Sequence, residues 1–239
     1  MPRSGTTLTE RILTNQEQVH SAGELQEFGL ALKKLTATRS RFIIDVETLQ
    51  ASRAIDYARL GHDYLNSLKH VVPDNVRFVD KMPLNVLYAG HIIKALPKAK
   101  LVCVIRNPMD TVWGNYKQLF SLNDPYYNYA FDQQDIARYY CHFVKLADMW
   151  QSKFPNNFKI VKYDELVTEP ENVAKEMLAF CDLQFDMAML DITTNTSAVA
   201  TASSVQVRNK INTKSLGQWK NFSTHLSLAQ EIFRFNDIE

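Results

Sequence analysis

The 239-residue sequence has few cysteines, almost no net charge and no long hydrophobic run. Cys103, Cys141 and Cys181 are odd in number and widely spaced. No metal-ligand spacing and no disulfide framework can be built from them. They read as small buried hydrophobes in a reducing, cytoplasmic setting. A net charge of +1 argues against a general nucleic-acid binder and leaves only local basic clusters. The longest uninterrupted apolar stretch, Leu101 to Ile105, falls far short of the roughly 20 residues that span a bilayer. No membrane span is therefore expected. No secretory signal opens the chain, although a missing N-terminus would have removed any such signal. Internal repeats and low-complexity segments are also missing. What remains, 46% hydrophobic and 22% charged residues, describes an ordinary globular protein, and we read residues 1–239 as one domain.

What is present is an alternation of helix and strand patterns. Leu8, Ile12 and Leu13 recur at helical spacing, and Gln18 to Ala22 follows as a short strand-like segment. A helical pattern runs from Glu24 to Leu35. A longer amphipathic helix carries Leu49, Ile55, Leu60, Tyr64 and Leu68. Arg77 to Val79 reads as a strand, and Leu84 to Leu96 as a helix stopped by Pro97. Lys100 to Ile105 is the clearest strand, because its apolar run suits a strand covered on both faces. Asn107-Pro108 starts another helix, Asp132 to Lys153 a long one, and Phe158 to Val161 a further strand, followed by helices through Cys181. Asp191 to Lys214 has little periodicity and reads as a long loop. The expected fold is α/β: a three-layer, mostly parallel sheet flanked by helices, with ligands at the carboxyl ends of the strands.

Pro2-Arg3-Ser4-Gly5-Thr6-Thr7 is the main candidate for chemistry. A phosphate-cradling loop hangs between a buried parallel strand and a helix. Here the helix follows at once, with Thr7 and Glu10 spaced as a capping box. Only Met1 precedes the loop, so its N-terminal strand is expected to be missing, and the domain truncated at its site. Gly5 supplies a permissive backbone, Arg3 a charge, and Thr6 and Thr7 hydroxyl donors. The lysine of a nucleotide-hydrolysing P-loop is absent, as is an acidic pair for magnesium. Those absences disfavour a nucleotide kinase or hydrolase, and no metal site is expected.

Five ordered segments carry a resemblance. Pro2 to Leu8 resembles the 5′-phosphosulfate loop of the sulfotransferase superfamily, and Lys100 to Phe120, with Arg106-Asn107-Pro108-Met109-Asp110-Thr111, its 3′-phosphate segment. Asp80-Lys81-Met82-Pro83, Tyr163 to Val167 and Thr201 to Arg208 are also similar to that family. Within it the sequence most resembles the branch of the bacterial sulfotransferases often fused to tetratricopeptide repeats and of the protein-tyrosine sulfotransferases. The resemblance implies a P-loop-like fold and the donor 3′-phosphoadenosine 5′-phosphosulfate as co-substrate, without metal. It implies that Arg3 and the Ser4, Gly5, Thr6 and Thr7 turn hold the 5′-phosphosulfate. Lys81 would neutralise charge on the bridging oxygen, and Glu24 would be the general base, with His20 as rival. Arg106 would hold the 3′-phosphate, and Tyr163 and Ser203 would contact the nucleotide.

Two positions depart from the pattern: Gly114 replaces the usual serine eight residues after Arg106, and Gln218 replaces a basic residue before Trp219. Both should weaken donor binding, with Asn115 a candidate stand-in at the first. The acceptor would bear a hydroxyl, on a peptide tyrosine, a glycan or a small molecule. Lys33, Lys34, Arg39 and Arg41 either line its groove or form a solvated helix end. The alternative is a non-catalytic remnant or nucleotide-binding module, favoured by the absent strand and the two departures.

Overall fold

The computed structural model describes residues 1–123, 125–195 and 209–238. Its described strands are all parallel and form two pairs. In the first pair β1 (Val19–Ser21) lies beside β2 (Arg77–Val79), with Val19 opposite Arg77. In the second, β3 (Leu101–Ile105) lies beside β4 (Phe158–Lys162), with Leu101 opposite Phe158. Among the described residues no strand joins β2 to β3. The parallel α/β architecture is thus present, with its sheet in two halves.

Helices cover both halves. α1 (Thr6–Thr14) packs on β1 and β2, and α2 (Glu27–Thr36) packs on α4 (Tyr57–Ser67). α6 (Pro108–Tyr116) and α7 (Gln133–Lys153) pack together, and α7 also covers β4. Alternate residues of β3 enter different cores. Cys103 joins Ile136, Phe143 and Phe158 on one face, whereas Val104 joins Ile12, Leu166 and Met177 on the other. That two-sided burial explains the unbroken apolar run. A third cluster, with Phe28, Leu32, Leu60 and Tyr64, lies under α2 and α4. Cys103 and Cys141 are buried and free, and burial pushes the Cys103 thiol up to about 11.

Several local expectations are corrected. The long amphipathic helix is broken into α3 (Val46–Ala51), a 3-10 turn at Ser52–Ala54, and α4. The break comes where Ile55 is extended and Asp56 caps α4, its carboxylate accepting from the Arg59 N–H at 3.1 Å. The Leu84–Leu96 pattern becomes a 3-10 segment, Pro83–Tyr88, leading into α5 (Ala89–Ala95). α2 starts at Glu27, three residues later than its pattern, leaving Glu24 in a bend before it. The capping box does not form. Gly5, at φ 105°, is the N-cap of α1, and no side chain caps it. Glu10 instead accepts from the Ser21 hydroxyl at 2.6 Å, tying α1 to β1.

Candidate active site

The loop makes its turn with two positive φ angles, 62° at Arg3 and 105° at Gly5. At Gly5 this is obligatory for a second reason. A Cβ there would sit 2.1 Å from the Tyr163 ring. The first intrahelical bond of α1 runs from Thr9 N to Gly5 O at 3.2 Å. The N–H groups of Thr6, Thr7 and Leu8 therefore face the helix N-terminus, where an anion is favoured. Ser4 is buried, and its hydroxyl donates to Met1 O at 2.7 Å, so it braces the turn from within.

Arg106 stands at the carboxyl end of β3. Its guanidinium donates to Ser215 O, lies 3.8 Å from Asp110 and sits 4.7 Å over the Tyr163 ring. Its Nε is buried without a hydrogen-bond partner. Tyr163 shares a 2.8 Å hydroxyl contact with Ser215. Arg3, Gly5, Thr7, Arg106 and Tyr163 thus line one cleft of about 520 Å³, together with Lys210, Lys214 and Gln218.

The cleft is crowded with positive charge. Burial and the Arg106 guanidinium push Arg3 down, with Tyr163 opposing. Burial, Arg3 and Arg106 likewise lower Lys117, with Asp110 opposing. Cations that raise one another's energy in this way favour a neighbouring anion.

The two departures look different in three dimensions. A Cβ at Gly114 would approach the Arg3 Cβ to 3.1 Å, so the glycine gives Arg3 room. Asn115 is no stand-in for the lost hydroxyl. It is fully buried, and its amide donates to Pro2 O at 3.0 Å and Thr111 O at 2.9 Å, holding the loop from behind. Gln218 donates to the Lys214 backbone carbonyl at 3.0 Å and accepts from the Lys117 ammonium at 3.5 Å, so one cation meets this position from a neighbouring helix end.

Glu24 and Lys81 form a separate group. Lys81 follows β2, its N–H donating to Gly23 O at 2.8 Å, which joins the Glu24 bend to the strand end. The Lys81 ammonium pairs with the Glu24 carboxylate. Lys81 is buried while Glu24 remains open to solvent. Behind them Asp80 accepts from the Tyr64 hydroxyl at 2.9 Å and the Met82 N–H at 3.2 Å. Burial raises its pKa to about 6 against those bonds. Lys81 and Thr6 face a neighbouring cavity, not the 520 Å³ cleft. His20 lies mid-strand in β1, away from the bend. Ser203 and the Thr201 to Arg208 motif lie outside the described residues.

The sequence reading missed the closure of the cleft. Asp110 is buried and accepts from Gly217 N at 2.7 Å and Trp219 N at 3.4 Å. It pins the segment that brings Lys214 and Ser215 to Arg106. The one available signal was its i+4 spacing from Arg106. Among the described residues no group of three or more His, Cys, Asp or Glu is placed to hold a metal, and no helix is long and apolar enough to cross a membrane.

Parallel strands with cationic residues at their carboxyl ends, and a glycine turn at a helix N-terminus, define a parallel α/β protein with a basic cleft. A family model for the sulfotransferases matches residues 1–187, and the chain belongs to that family. It is 32% identical to an uncharacterised protein of Aquifex aeolicus (strain VF5), over 98% of this chain but 31% of that protein's length. It is 23% identical to a Caenorhabditis briggsae protein whose name places it provisionally among the protein-tyrosine sulfotransferases, over 92% of this chain and 78% of the relative. The fold is similar to the sulfotransferase domain of the curacin biosynthetic pathway. The TM-score is 0.59 at 14% identity, covering 100% of this chain and 95% of that one. It is also similar to the sulfotransferase domain of the Synechococcus PCC 7002 olefin synthase. There the TM-score is 0.58 at 18% identity, covering 96% of this chain and 90% of that one.

Proposed function

We propose that the chain transfers a sulfuryl group from 3′-phosphoadenosine 5′-phosphosulfate to a hydroxyl acceptor, with Glu24 as general base. The observation that carries this reading is the crowding of Arg3 and Arg106 in the 520 Å³ cleft with Lys117 close to both, where burial and mutual repulsion depress Arg3 and Lys117. A bis-anionic nucleotide relieves that repulsion. Arg106 takes the 3′-phosphate, Arg3 and the amides of Thr6 and Thr7 take the 5′-phosphosulfate, and Tyr163 packs beside the nucleotide.

The reaction is an in-line displacement at sulfur. The acceptor oxygen forms a bond to sulfur as its proton passes to Glu24, and the bond from sulfur to the bridging phosphate oxygen breaks. Charge collects on that oxygen, where Lys81 meets it. The Glu24–Lys81 pair fits both roles, because it sets a carboxylate and an ammonium side by side at the carboxyl end of β2. A donor oxygen that draws Lys81 away leaves the carboxylate free for the acceptor. A sulfuryl group carries less charge than a phosphoryl group, so side-chain cations suffice where kinases use magnesium. The acceptor is a hydroxyl of a peptide tyrosine, a glycan or a small molecule.

Thermal denaturation with nucleotide tests the reading. A ligand at a hundredfold its Kd adds about 2.7 kcal/mol if it binds only the folded chain. 3′-Phosphoadenosine 5′-phosphate should raise the melting temperature clearly and ADP little, since ADP offers Arg106 no 3′-phosphate. Equal shifts from the two nucleotides overturn the proposal.

A further inference from the structure

An ion pair between two long side chains does not by itself fix where either one stands. In the Glu24–Lys81 pair the backbone is fixed first. The ladder between β1 and β2 runs on past both strands, with Ala22 N donating to Val79 O at 3.0 Å and Lys81 N to Gly23 O at 2.8 Å. Gly23 then turns the chain at φ 72°, and Glu24 follows on the bend. Those bonds hold Glu24 from its N-terminal side.

Asp80 holds the other side. Its carboxylate accepts from the Leu25 N–H, the Met82 N–H at 3.2 Å, the Tyr64 hydroxyl at 2.9 Å and the Asn85 side-chain amide. Four donors fill the roughly four lone-pair positions of an ionised carboxylate. Two of them have a particular placement: Leu25 is the residue after Glu24, and Met82 is the residue after Lys81. One side chain thus ties the peptide that follows the proposed base to the peptide that follows the proposed cation. Bonds from backbone N–H groups to an ionised carboxylate are among the strong ones. The Tyr64 and Asn85 bonds come from α4 and from the Pro83–Tyr88 segment, and they anchor the carboxylate itself.

Only the ionised form serves all four donors. An aspartate that gains a proton, or an asparagine in its place, sets a donor where an acceptor stood, and one partner is left facing it. Burial raises the carboxyl to about 6, against the pull of its four hydrogen bonds. The other ionisable groups on the elements around it are Tyr64 on α4, Glu27 at the start of α2, Glu24 on the bend and Lys81 beside it.

We propose, on the reading of Glu24 as base and Lys81 as the cation at the bridging oxygen, that Asp80 is a positioning residue whose carboxylate sets Glu24 against Lys81 through the Leu25 and Met82 N–H groups. Asp80 takes no proton from the acceptor and touches no substrate. It acts by geometry alone, and a misplacement of about 1 Å at a reacting group costs on the order of a hundredfold in rate.

Two measurements on the whole chain test this, one of them independent of turnover. The amide proton resonances of Leu25 and Met82 should titrate together, with one shared midpoint near 6, the value to which burial raises Asp80. Both titrations should vanish in Asp80→Asn and persist in Tyr64→Phe, which removes a donor from outside the reacting pair. Separate midpoints in the unaltered chain, or titrations that survive in Asp80→Asn, overturn the clamp. Turnover of 3′-phosphoadenosine 5′-phosphosulfate with p-cresol as hydroxyl probe gives the second readout. Asp80→Asn should lower kcat about ten- to hundredfold and leave the donor KM within about threefold. Tyr64→Phe also loses a buried hydrogen bond, yet its kcat should stay within about threefold of the original. Equal losses of kcat in the two variants mean that Asp80 only supports the fold, and overturn the positioning role. If the unaltered chain turns over no donor at all, the sulfuryl-transfer reading fails, and the shared titration alone decides whether Asp80 clamps the two peptides.

Discussion

The two strand pairs carry the two halves of the site, and they are built differently. β3 and β4 pair over five residues, and β3 is buried by separate cores on its two faces. Its end presents Arg106 inside a mesh of Asp110, Tyr163 and Ser215. β1 and β2 pair over only three residues, and their end presents one ion pair, Glu24 with Lys81, half open to solvent. Binding needs a fixed, desolvated cradle, whereas chemistry needs a carboxylate that an acceptor can reach. The half proposed to hold the nucleotide is over-determined, and the half proposed to react is lightly held.

Removing the proposed base should give the largest effect with the least structural cost. Glu24→Gln keeps the shape and leaves the binding mesh untouched. Turnover should fall by two to four orders of magnitude, roughly 3–5 kcal/mol, while the melting shift from 3′-phosphoadenosine 5′-phosphate persists. Unchanged turnover would return Glu24 to a partner that merely steadies Lys81. Loss of the nucleotide shift would show that the two halves are not separable.

On the binding side, Asp110→Ala should do the reverse. It removes a buried carboxylate facing Arg106 and frees the N–H groups of Gly217 and Trp219. Breaking a buried pair costs about 3–5 kcal/mol, and part of that should appear as weaker nucleotide binding because Lys214 and Ser215 lose their anchor. Calorimetric titration of the folded variant separates the two. Full affinity in Asp110→Ala would mean that the 209–219 segment does not shape the cleft.

The same contrast explains what could be read from the chain. β3, its terminal arginine and the glycine turn were legible because each is a local pattern: an apolar run, a cation ending it, a residue free to take φ 105°. The capping box was equally local, yet it failed because Gly5 claims the N-cap and Glu10 is drawn to Ser21. The long helix failed because Asp56 caps a new one inside it. Asp110, Lys214 and Ser215 stayed hidden for another reason. Their contacts close over about a hundred residues, through a loop without periodicity. Gly114 read as a missing hydroxyl until the Arg3 Cβ appeared beside it.

The smallest effect concerns the floor of the reactive half, and it carries a sign. Burial raises Asp80 from 3.8 to about 6, so between those values the folded chain binds more protons than the unfolded one. Its contribution to stability is fully present below about pH 4 and is lost as pH rises through 6, by at most about 3 kcal/mol. A plot of denaturant midpoint against pH should therefore fall between pH 4 and 6. Asp80→Asn has no carboxyl to titrate, so it should flatten that fall. If the fall survives in Asp80→Asn, the carboxyl behind Lys81 is not the titrating group. The buried aspartate would then hold Tyr64 and the Met82 N–H without sensing pH at all.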